Sequence, residues 1–272
     1  MNNEDLKKLL TLATKASLIA GKEINKVYQG TDFEIEKKED ETPLTLADRK
    51  SHEIIDKYLR KTNYPILSEE GKDIPYEERK EWEFFWLVDP LDGTKEFIKK
   101  NGEFTVNIAL IKNGRPVMGV VYAPYVQELY FGCEKFGAYK LENATEECCD
   151  FSDLNELMKE GLNLPLAEKH SNFVVVASRS HLNDETKEYI DSLKRKHQNI
   201  EFISKGSSLK ICMVAEGKAN VYPRFAPTME WDTAAGHAVA LSAGFKVTRK
   251  DEVTPLEYNK EELRNPWFIV KE

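Results

Sequence analysis

The sequence predicts an α/β (α+β) fold, and two observations lead to this expectation. In the first half, two amphipathic helical patterns precede a run of strand patterns. In the second half, short apolar strands alternate with helical segments, which is typical of helices layered on sheets. The 272 residues suffice for one large domain or for two tightly packed halves.

The first elements in the chain are predicted to be helical. Apolar residues recur at helical spacing over residues 4–28 and 45–62, and a short helix is expected within 72–83. Between the last two of these segments, "YPILSEEG" is typical of a short strand that runs into an acidic loop.

Strands dominate the next part of the chain. An apolar strand is predicted over 84–89, with a short helix near 94–100 after it. The stretch "TVNIALIKNGRPVMGVVYAPYVQELYFGC" predicts three antiparallel strands, and Asn113 and Gly114 supply the turn of the first hairpin.

A polar, irregular stretch over 142–170 separates the two halves, and it contains one weak helical pattern around 152–160. We therefore expect an N-terminal half over 1–145 and a C-terminal half over 146–272. In the latter half, "NFVVVAS", "IEFISK", "ANVYPRF" and "FKVTR" predict strands, and 183–197, 207–216 and 232–243 predict helices.

Composition limits the classes of partner. Charged residues make up 32% of the chain, hydrophobic residues 41%, and the net charge is -8, which argues against a nucleic-acid polymer as partner. The first residues contain no apolar segment of the kind that signal peptides or bilayer spans require, so we expect a cytoplasmic protein without an integral membrane segment. Peripheral attachment to the inner membrane remains compatible with this. The cysteines show no CxxC spacing and are predicted to be free structural thiols: Cys133, Cys148, Cys149 and Cys212.

Acidic residues stand at the ends of several predicted elements: Glu69, Asp89, Asp92 and Asp232. Each has a structural explanation when taken alone. Asp92 and Asp232 can cap the helices that follow them, and Glu69 and Glu70 can be solvated loop charges.

Taken together, the acids favour a metal site. An apolar strand such as "FFWLV" is covered on both faces, and carboxylates at its carboxyl end lie where α/β proteins bind ligands. Converging acids would raise one another's pKa, and "VDPLDG" contains no basic residue that would relieve the repulsion. Oxygen ligands without histidine or cysteine favour Mg²⁺ or Mn²⁺ over zinc.

The turn after this strand suits an anion. Pro90 restricts the chain direction, so the Leu91 carbonyl can face the same site as the two acids. Gly93 allows close approach of the backbone to a ligand, and the start of the next helix offers amides to a phosphate.

Three motifs, "LSEE", "DPLDGT" and "WDTAAGHA", resemble the signature of the Mg²⁺-dependent, lithium-sensitive phosphatase family. That family includes inositol monophosphatases, fructose 1,6-bisphosphatases and 3'-phosphoadenosine 5'-phosphate phosphatases. The resemblance covers essentially the whole chain. Tracts such as "GSSLK" and "VAEGKANVYPRF" are similar to the bacterial 3'(2'),5'-bisphosphate nucleotidases within it. Inositol monophosphatases usually carry Thr-Asn-Phe after "DGT", where this chain has Lys95-Glu96-Phe97.

This resemblance implies a layered α-β-α-β-α sugar-phosphatase fold, with an antiparallel sheet in the N-terminal half and a mixed sheet in the C-terminal half. It implies two or three Mg²⁺ ions, with Mn²⁺ as a substitute. The ligands that it implies are Glu69, Asp89, Asp92, Asp232 and the carbonyl oxygen of Leu91.

The resemblance also implies catalytic roles for Glu69, Asp48 and Thr94. Asp48 would accept a hydrogen bond from Thr94, whose hydroxyl orients the attacking water. However, "TLAD" fits a capping box with Asp48 at its third helical position, so the sequence alone leaves both roles open for Asp48.

The substrate implied is 3'-phosphoadenosine 5'-phosphate, a by-product of sulfate assimilation, which would lose its 3'-phosphate to give AMP. Amides of Gly93 and Thr94 would hold the reacting phosphoryl group. The residues expected to contact substrate are Glu69, Leu91, Asp92, Gly93, Thr94, Ser207, Ser208, Lys210, Arg224 and Asp232.

A second phosphate needs a basic group, and "SKGSSLK" with the following Arg224 offers several. Lys205 and Lys210 are candidates, although solvated surface charge is an equal alternative for both. Tyr222 and Phe225 can either stack on adenine or pack in the core.

Two other functions remain open at this point. One is hydrolysis of inositol or sugar phosphates within the same family, and the other is a non-catalytic nucleotide or metal sensor. The protein is expected to be a monomer or a homodimer.

Overall fold

The structure, a computed structural model, describes residues 1–30, 36–37, 43–147, 153–166, 172–177 and 183–272. Its helices are α1 (Asn3–Gln29), α2 (Leu46–Leu59), α3 (Tyr76–Arg79), α4 (Thr94–Ile98), α5 (Leu154–Glu160), α6 (Asp184–Lys194), α7 (Leu209–Ala215) and α8 (Glu230–Ser242). Its strands are β1 (Glu36–Lys37), β2 (Pro43–Leu44), β3 (Ile66–Ser68), β4 (Phe84–Asp92), β5 (Thr105–Lys112), β6 (Arg115–Ala123), β7 (Glu128–Cys133), β8 (Gly137–Leu141), β9 (Leu162–Asn163), β10 (Phe173–Ala177), β11 (Ile200–Ser204), β12 (Val221–Arg224), β13 (Lys246–Arg249) and β14 (Phe268–Lys271).

The larger sheet has seven strands in the order β3-β4-β5-β6-β7-β8-β9. Every pair in it is antiparallel except β3 with β4, which is parallel. The expected antiparallel sheet is therefore confirmed with one difference. A parallel pair requires a crossover connection, and here the chain crosses over through α3.

The smaller sheet is mixed, as expected, with the order β11-β10-β12-β14-β13. Strands β11, β10 and β12 are parallel, whereas β14 runs antiparallel to both β12 and β13. The last strand, β14, has no counterpart among the predicted elements. It lies at the centre of the antiparallel part and completes that sheet.

The order of the layers follows from which helices cover each apolar face of the two sheets. Trp86 and Val88 pack in the core beneath α1 and α2, whereas Phe85 and Leu87 pack in the core beneath α7 and α8. A strand buried on both faces needs no polar alternation, which explains the continuous apolar run in β4. The smaller sheet packs on α7 and α8, and α6 covers its outer face, so the implied α-β-α-β-α order is confirmed.

Most predicted helices lie within a few residues of their expected ends, which is the usual uncertainty at helix termini. Strands β8 and β9 were not predicted, and β9 lies within the stretch that was expected to be irregular. Both α5 and β9 come after residue 145, yet α5 packs on α1 and β9 pairs with β8. The division of the chain at residue 145 stays a prediction.

Two remaining expectations concern cysteines and membranes. Cys133 and Cys212 are free and buried, while Cys148 and Cys149 lie outside the described residues. Within the described ranges, no helix is both long enough and apolar enough to cross a bilayer.

Candidate active site

The parallel pairing of β3 and β4 brings two acids together. Ser68 lies opposite Val88, and the amide of Glu69 donates to the Val88 carbonyl at 3.1 Å. Glu69 and Asp89 are the next residues on the two strands. Parallel strands end at the same edge of a sheet, so both carboxylates leave the sheet side by side.

Helix α8 supplies the third acid from a distant part of the chain. Asp232 is the third residue of this helix, and its Oδ2 accepts the Met229 amide at 2.9 Å. Asp232 was expected to precede a helix that begins at Thr233, but the helix begins at Glu230, so Asp232 caps it from inside its first turn. Asp232 also joins the other two acids, because carboxylate oxygens of Glu69, Asp89 and Asp232 lie within 4.8 Å of one another.

The electrostatics of this cluster fit a bound cation. Burial raises the pKa of Asp89 well above its usual range, and the charges of Glu69, Asp92 and Asp232 raise it further. Burial and the charge of Asp92 likewise raise the pKa of Asp232. Three convergent carboxylates supply hard oxygen ligands, and a divalent cation such as Mg²⁺ would balance their charge.

Asp92 lies beside this cluster and also contacts the second half of the chain. Burial raises its pKa to about 6, although the Lys210 ammonium and the amide of Ser208, which donates to the Asp92 carboxylate, oppose this rise. Glu69 interacts electrostatically with the same carboxylate. Asp92 thus links the acidic cluster to the loop that precedes α7.

The turn between Asp89 and Gly93 is held on both sides. Asp89 Oδ1 accepts the Leu91 amide at 3.0 Å, and the Ser51 hydroxyl on α2 donates to the Pro90 carbonyl at 2.7 Å. Gly93 has a φ of 91°, in the left-handed region, and a Cβ there would lie 3.1 Å from the Glu103 carbonyl oxygen. Glycine is needed at this position for both reasons.

Asp48 makes the hydrogen bonds that both of its expected roles require, and its catalytic role stays a prediction. Its Oδ2 accepts the Thr45 amide at 2.8 Å and thereby closes a capping box at the start of α2. Its Oδ1 accepts the Thr94 hydroxyl at 3.3 Å. The two roles use different oxygens of one carboxylate, so they are not alternatives. The same hydroxyl lies 3.4 Å from the Leu91 carbonyl oxygen.

A cavity of about 320 Å³ opens beside the acids. Asp92 and Asp232 line it on the side of the acidic cluster. Five cationic residues also line it: Lys95, Lys99, Lys205, Lys210 and Arg224. The cavity therefore offers separate sites to a cation and to an anion.

The two lysines of "SKGSSLK" occupy different environments. Lys210 is buried, and its ammonium donates to the carbonyls of Ser207 at 2.6 Å and Lys205 at 3.3 Å. Burial lowers its pKa to about 8. The alternative of a solvated surface charge is therefore wrong for Lys210. Lys205 is partly exposed and lies 3.9 Å from a Glu103 carboxylate oxygen.

The two serines of the same motif also differ. The hydroxyl of buried Ser208 lies 2.8 Å from Thr105 Oγ1 and donates to Asn107 Oδ1 at 2.8 Å. This hydroxyl is used inside the protein and is not offered to a substrate. Ser207 lines the cavity, and its buried hydroxyl has no hydrogen-bond partner within the described part of the chain.

The two aromatic candidates, Tyr222 and Phe225, also lie in different environments. Phe225 is buried against Tyr189 and Trp267 in the core between the smaller sheet and α6, so packing explains it. Tyr222 lines the cavity, and its side chain is hydrogen-bonded to that of Arg224. The guanidinium of Arg224 donates to the Pro227 carbonyl at 3.0 Å, while its buried Nε has no partner among the described residues.

The whole chain is similar to proteins of one family. Its sequence matches the profile of the inositol monophosphatase family over residues 5–265. The chain belongs to the inositol monophosphatase family. This membership accounts for the layered fold and for the position of the acidic cluster. Enzymes of this family are metal-dependent.

Individual relatives within the family are similar over most of their length. The 3'(2'),5'-bisphosphate nucleotidase CysQ of Salmonella typhimurium is 47% identical over 92% of this chain and 94% of its own. The CysQ protein of Haemophilus influenzae is 34% identical over 99% of this chain and 93% of its own.

Solved structures extend the comparison. The crystal structure of CysQ from Bacteroides thetaiotaomicron is 53% identical, with a TM-score of 0.91, and the match covers 99% of this chain and 98% of that one. An inositol monophosphatase from Anabaena is 25% identical, with a TM-score of 0.71 over 98% of this chain and 91% of its own.

Sequence reasoning missed several residues of this family member's site. Lys95 and Lys99 follow the turn over 89–93 and line the cavity, although neither was predicted to contact a ligand. Asn107 is fully buried opposite Asp89 on β5. Its signal was visible, because it is the one polar residue within the apolar run "VNIALI". Ser51 stands three residues after Asp48 on the same helix, which was the available signal for its role.

Proposed function

We propose that this chain is a Mg²⁺-dependent 3'(2'),5'-bisphosphate nucleotidase that converts 3'-phosphoadenosine 5'-phosphate to AMP and phosphate. One observation carries the proposal: a single cavity is lined by Asp232 of the acidic cluster, by Asp92 beside that cluster and by five cationic side chains. A substrate with two phosphates is complementary to both sides of the cavity. The CysQ relatives are named as 3'(2'),5'-bisphosphate nucleotidases, which supports the same assignment.

The acids Glu69, Asp89 and Asp232 would hold the metal, with Asp92 and the Leu91 carbonyl as further ligands. Bound Mg²⁺ would acidify a water molecule and stabilise negative charge on the leaving oxygen. Mn²⁺ would bind to the same oxygen ligands.

Thr94 and Asp48 would orient the attacking water. Because the Thr94 hydroxyl donates its proton to Asp48, its lone pairs face outward as acceptors for a proton of the water. Asp48 is itself held by the capping box, so the pair is fixed before substrate arrives. Such positioning of a nucleophile is a main source of catalysis in phosphoryl transfer.

The turn at Gly93 would bind the phosphoryl group that is transferred. Its left-handed conformation, together with the start of α4, makes the amides of Gly93 and Thr94 available to phosphoryl oxygens. No residue of this turn forms a covalent bond to the substrate in this scheme. Water attacks directly, and the leaving group departs as the 3'-hydroxyl of AMP.

The second phosphate would bind among the cations. Arg224 and Ser207 each have a buried polar atom with no partner among the described residues, and both line the cavity. Lys95 and Lys99 extend the positive region towards solvent. A monophosphate such as inositol 1-phosphate has no group for this region, so it should bind more weakly.

A phosphate-release panel tests the proposal. Purified protein with Mg²⁺ is assayed on 3'-phosphoadenosine 5'-phosphate, inositol 1-phosphate and fructose 1,6-bisphosphate. We expect kcat/KM for the nucleotide to exceed that for inositol 1-phosphate by at least about tenfold, the value of one good charged contact. The sugar bisphosphate also carries two phosphates, so it tests whether the cavity selects the nucleotide among bisphosphates. Asp89→Asn protein serves as the control for contaminating phosphatase.

Each alternative predicts a different result. Equal or faster release from inositol 1-phosphate or the sugar bisphosphate would contradict nucleotide specificity and favour a sugar phosphatase. Tight nucleotide binding without any phosphate release would favour a sensor. Cytoplasmic location and the monomeric or dimeric state belong to this proposal and are tested by fractionation and by light scattering.

A further inference from the structure

Glu103 lies where three segments around the cavity meet. The first is the turn that contains Gly93, the second is the loop that leads into β5 and contains Glu103 itself, and the third is the loop over 205–208. The side chain of Glu103 is only 14% exposed although it carries a charge. Charged side chains are seldom this buried unless they are paired or hydrogen-bonded, and the carboxylate of Glu103 is hydrogen-bonded.

The carboxylate of Glu103 holds the 205–208 loop. Its Oε2 accepts the Gly206 amide at 2.8 Å, and its Oε1 lies 3.9 Å from the Lys205 ammonium. The amide of Glu103 donates to Asn101 Oδ1 at 2.9 Å, which stabilises its own loop. The acceptor thus lies in the loop before β5 of the larger sheet, and the donor lies in the loop after β11 of the smaller sheet.

Close backbone packing adds to this hydrogen bond. A Cβ on Gly206 would lie 2.8 Å from the Glu103 carbonyl oxygen and 2.9 Å from the Glu103 Cβ. A Cβ on Gly93 would lie 3.1 Å from the same carbonyl oxygen. The backbone of Glu103 therefore fits between two glycines, Gly93 in the turn over 89–93 and Gly206 in the loop over 205–208.

The loop that Glu103 holds controls two contacts of the site. Carbonyls of Lys205 and Ser207 accept the Lys210 ammonium, and the next amide, that of Ser208, donates to Asp92. A displacement of Gly206 would move all three groups together. The cationic side of the cavity would then shift relative to the acids.

We propose that Glu103 is a positioning residue that sets the affinity for the substrate's second phosphate. It would do so by fixing the 205–208 loop against the turn over 89–93. This inference rests on the proposed function. Glu103 touches neither the reacting atoms nor the metal ligands, so its effect should fall on KM for the nucleotide and leave kcat nearly unchanged.

A purely electrostatic role makes the opposite prediction. Glu103 adds a negative charge to a cavity that binds an anion, so charge alone would weaken binding. Removing it would then lower KM. A rise in KM for the nucleotide on removal of Glu103 would therefore support positioning, and a fall in KM would support a purely electrostatic role.

The experiment compares Glu103→Ala with Glu103→Gln on the bisphosphate nucleotide and on inositol 1-phosphate. Glutamine keeps an oxygen acceptor for the Gly206 amide but loses the charge. We expect Glu103→Ala to raise KM for the nucleotide about tenfold, with less effect on inositol 1-phosphate, and Glu103→Gln to stay within about twofold of wild type.

Two further variants complete the design. Glu96→Gln removes an equal charge from the same cavity but keeps the Cγ that lies against Gly206, and it should not raise KM. Gly206→Ala forces the loop away from the Glu103 carbonyl and should raise KM as Glu103→Ala does, so the test survives if one variant is unstable. Melting temperatures verify that each variant is folded.

The outcomes distinguish the inference from the function on which it rests. If wild-type protein releases no phosphate from the nucleotide, the proposed function is contradicted, and the role of Glu103 is contradicted with it. If wild type is active, the positioning role is overturned by an unchanged or lowered KM in Glu103→Ala. It is also overturned if Glu103→Gln or Glu96→Gln raises KM as much as Glu103→Ala.

Discussion

The acidic and cationic sides of the cavity are built differently. The acids lie at the ends of β3 and β4 and in the first turn of α8, where hydrogen-bonded elements hold them. The cationic residues lie on or directly after short α4, on the 205–208 loop, in the first turn of α7 and at the end of β12, and two of them, Lys95 and Lys99, are exposed. A metal cluster requires sub-ångström placement, which strands and helices provide better than loops do.

The two sides also differ in their effect on stability. On the acidic side, buried like charges oppose folding until a cation binds. On the cationic side, Lys210 is compensated by carbonyl acceptors and by nearby Asp92. Burial therefore disfavours charge on both sides, but neighbouring carboxylates add to this cost on the acidic side, whereas partners inside the protein offset it for Lys210. We propose that the acidic side serves the chemistry and the cationic side the specificity. The following predictions test this contrast, from the largest expected effect to the smallest.

Asp89→Asn should have the largest effect and should separate activity from stability. Loss of one metal ligand should reduce kcat/KM by more than about 100-fold, since even residues that support ligands contribute about 10–100-fold. In EDTA, the same variant should melt at or above the wild-type temperature, because one buried like charge is gone. Phosphate release and a thermal melt measure the two effects.

The exposed Asp73→Asn is the matched control, since it removes an equal charge from a solvated loop. It should change neither quantity. A folded Asp89→Asn protein with nearly normal turnover would contradict the metal assignment.

Thr94→Val should come next, with a fall in kcat of about 100-fold or more, the usual size of effects on a positioned proton acceptor. Valine keeps the shape of threonine but has no hydroxyl to donate to Asp48. Thr94→Ser restores the hydroxyl and should recover most of the activity. If the valine and serine variants were equally slow, the hydroxyl would not be the group that matters.

Lys210→Met should affect specificity more than turnover. Methionine fills the buried space but removes the ammonium, so KM for the bisphosphate nucleotide should rise about tenfold. The KM for inositol 1-phosphate should rise less, because that substrate has no second phosphate. Steady-state kinetics on both substrates gives the ratio, and an equal rise for both would remove Lys210 from nucleotide recognition.

The exposed lysines of α4 should have the smallest effect. Lys95→Ala and Lys99→Ala should each raise KM for the nucleotide by about two- to fivefold at low salt, and high salt should remove the difference. Lys159→Ala on α5, which packs on α1, is the control for net charge. A salt-independent rise would indicate a direct, desolvated contact.

Much of the acidic side could be predicted from the sequence because its signals are local. Strand β4 is a continuous apolar run that ends in two acids, a proline and a glycine, and each has a local physical meaning. The capping pattern around Asp48 was equally readable, and the structure adds that Thr94 uses the other oxygen.

The cationic side was harder to predict because its contacts are long-range. "GSSLK" contains two adjacent serines that the sequence alone does not distinguish. In the structure, Ser208 is hydrogen-bonded to Asn107 on the other sheet, whereas the hydroxyl of Ser207 has no such partner among the described residues and Ser207 lines the cavity. Neither periodicity nor propensity indicates which hydroxyl meets a partner about 100 residues away in sequence. Glu103 was overlooked for the same reason.

The sequence by itself determined the helices, most strands and the residue types of a metal-dependent phosphatase, because side-chain pattern and turn chemistry act over a few residues. Tertiary structure decided that β3 runs parallel to β4, that β14 completes the smaller sheet, and that Glu103 joins the two halves at Gly206. These features depend on which distant segments pack together. That choice comes from burying both faces of each sheet at once, which no local stretch of sequence specifies.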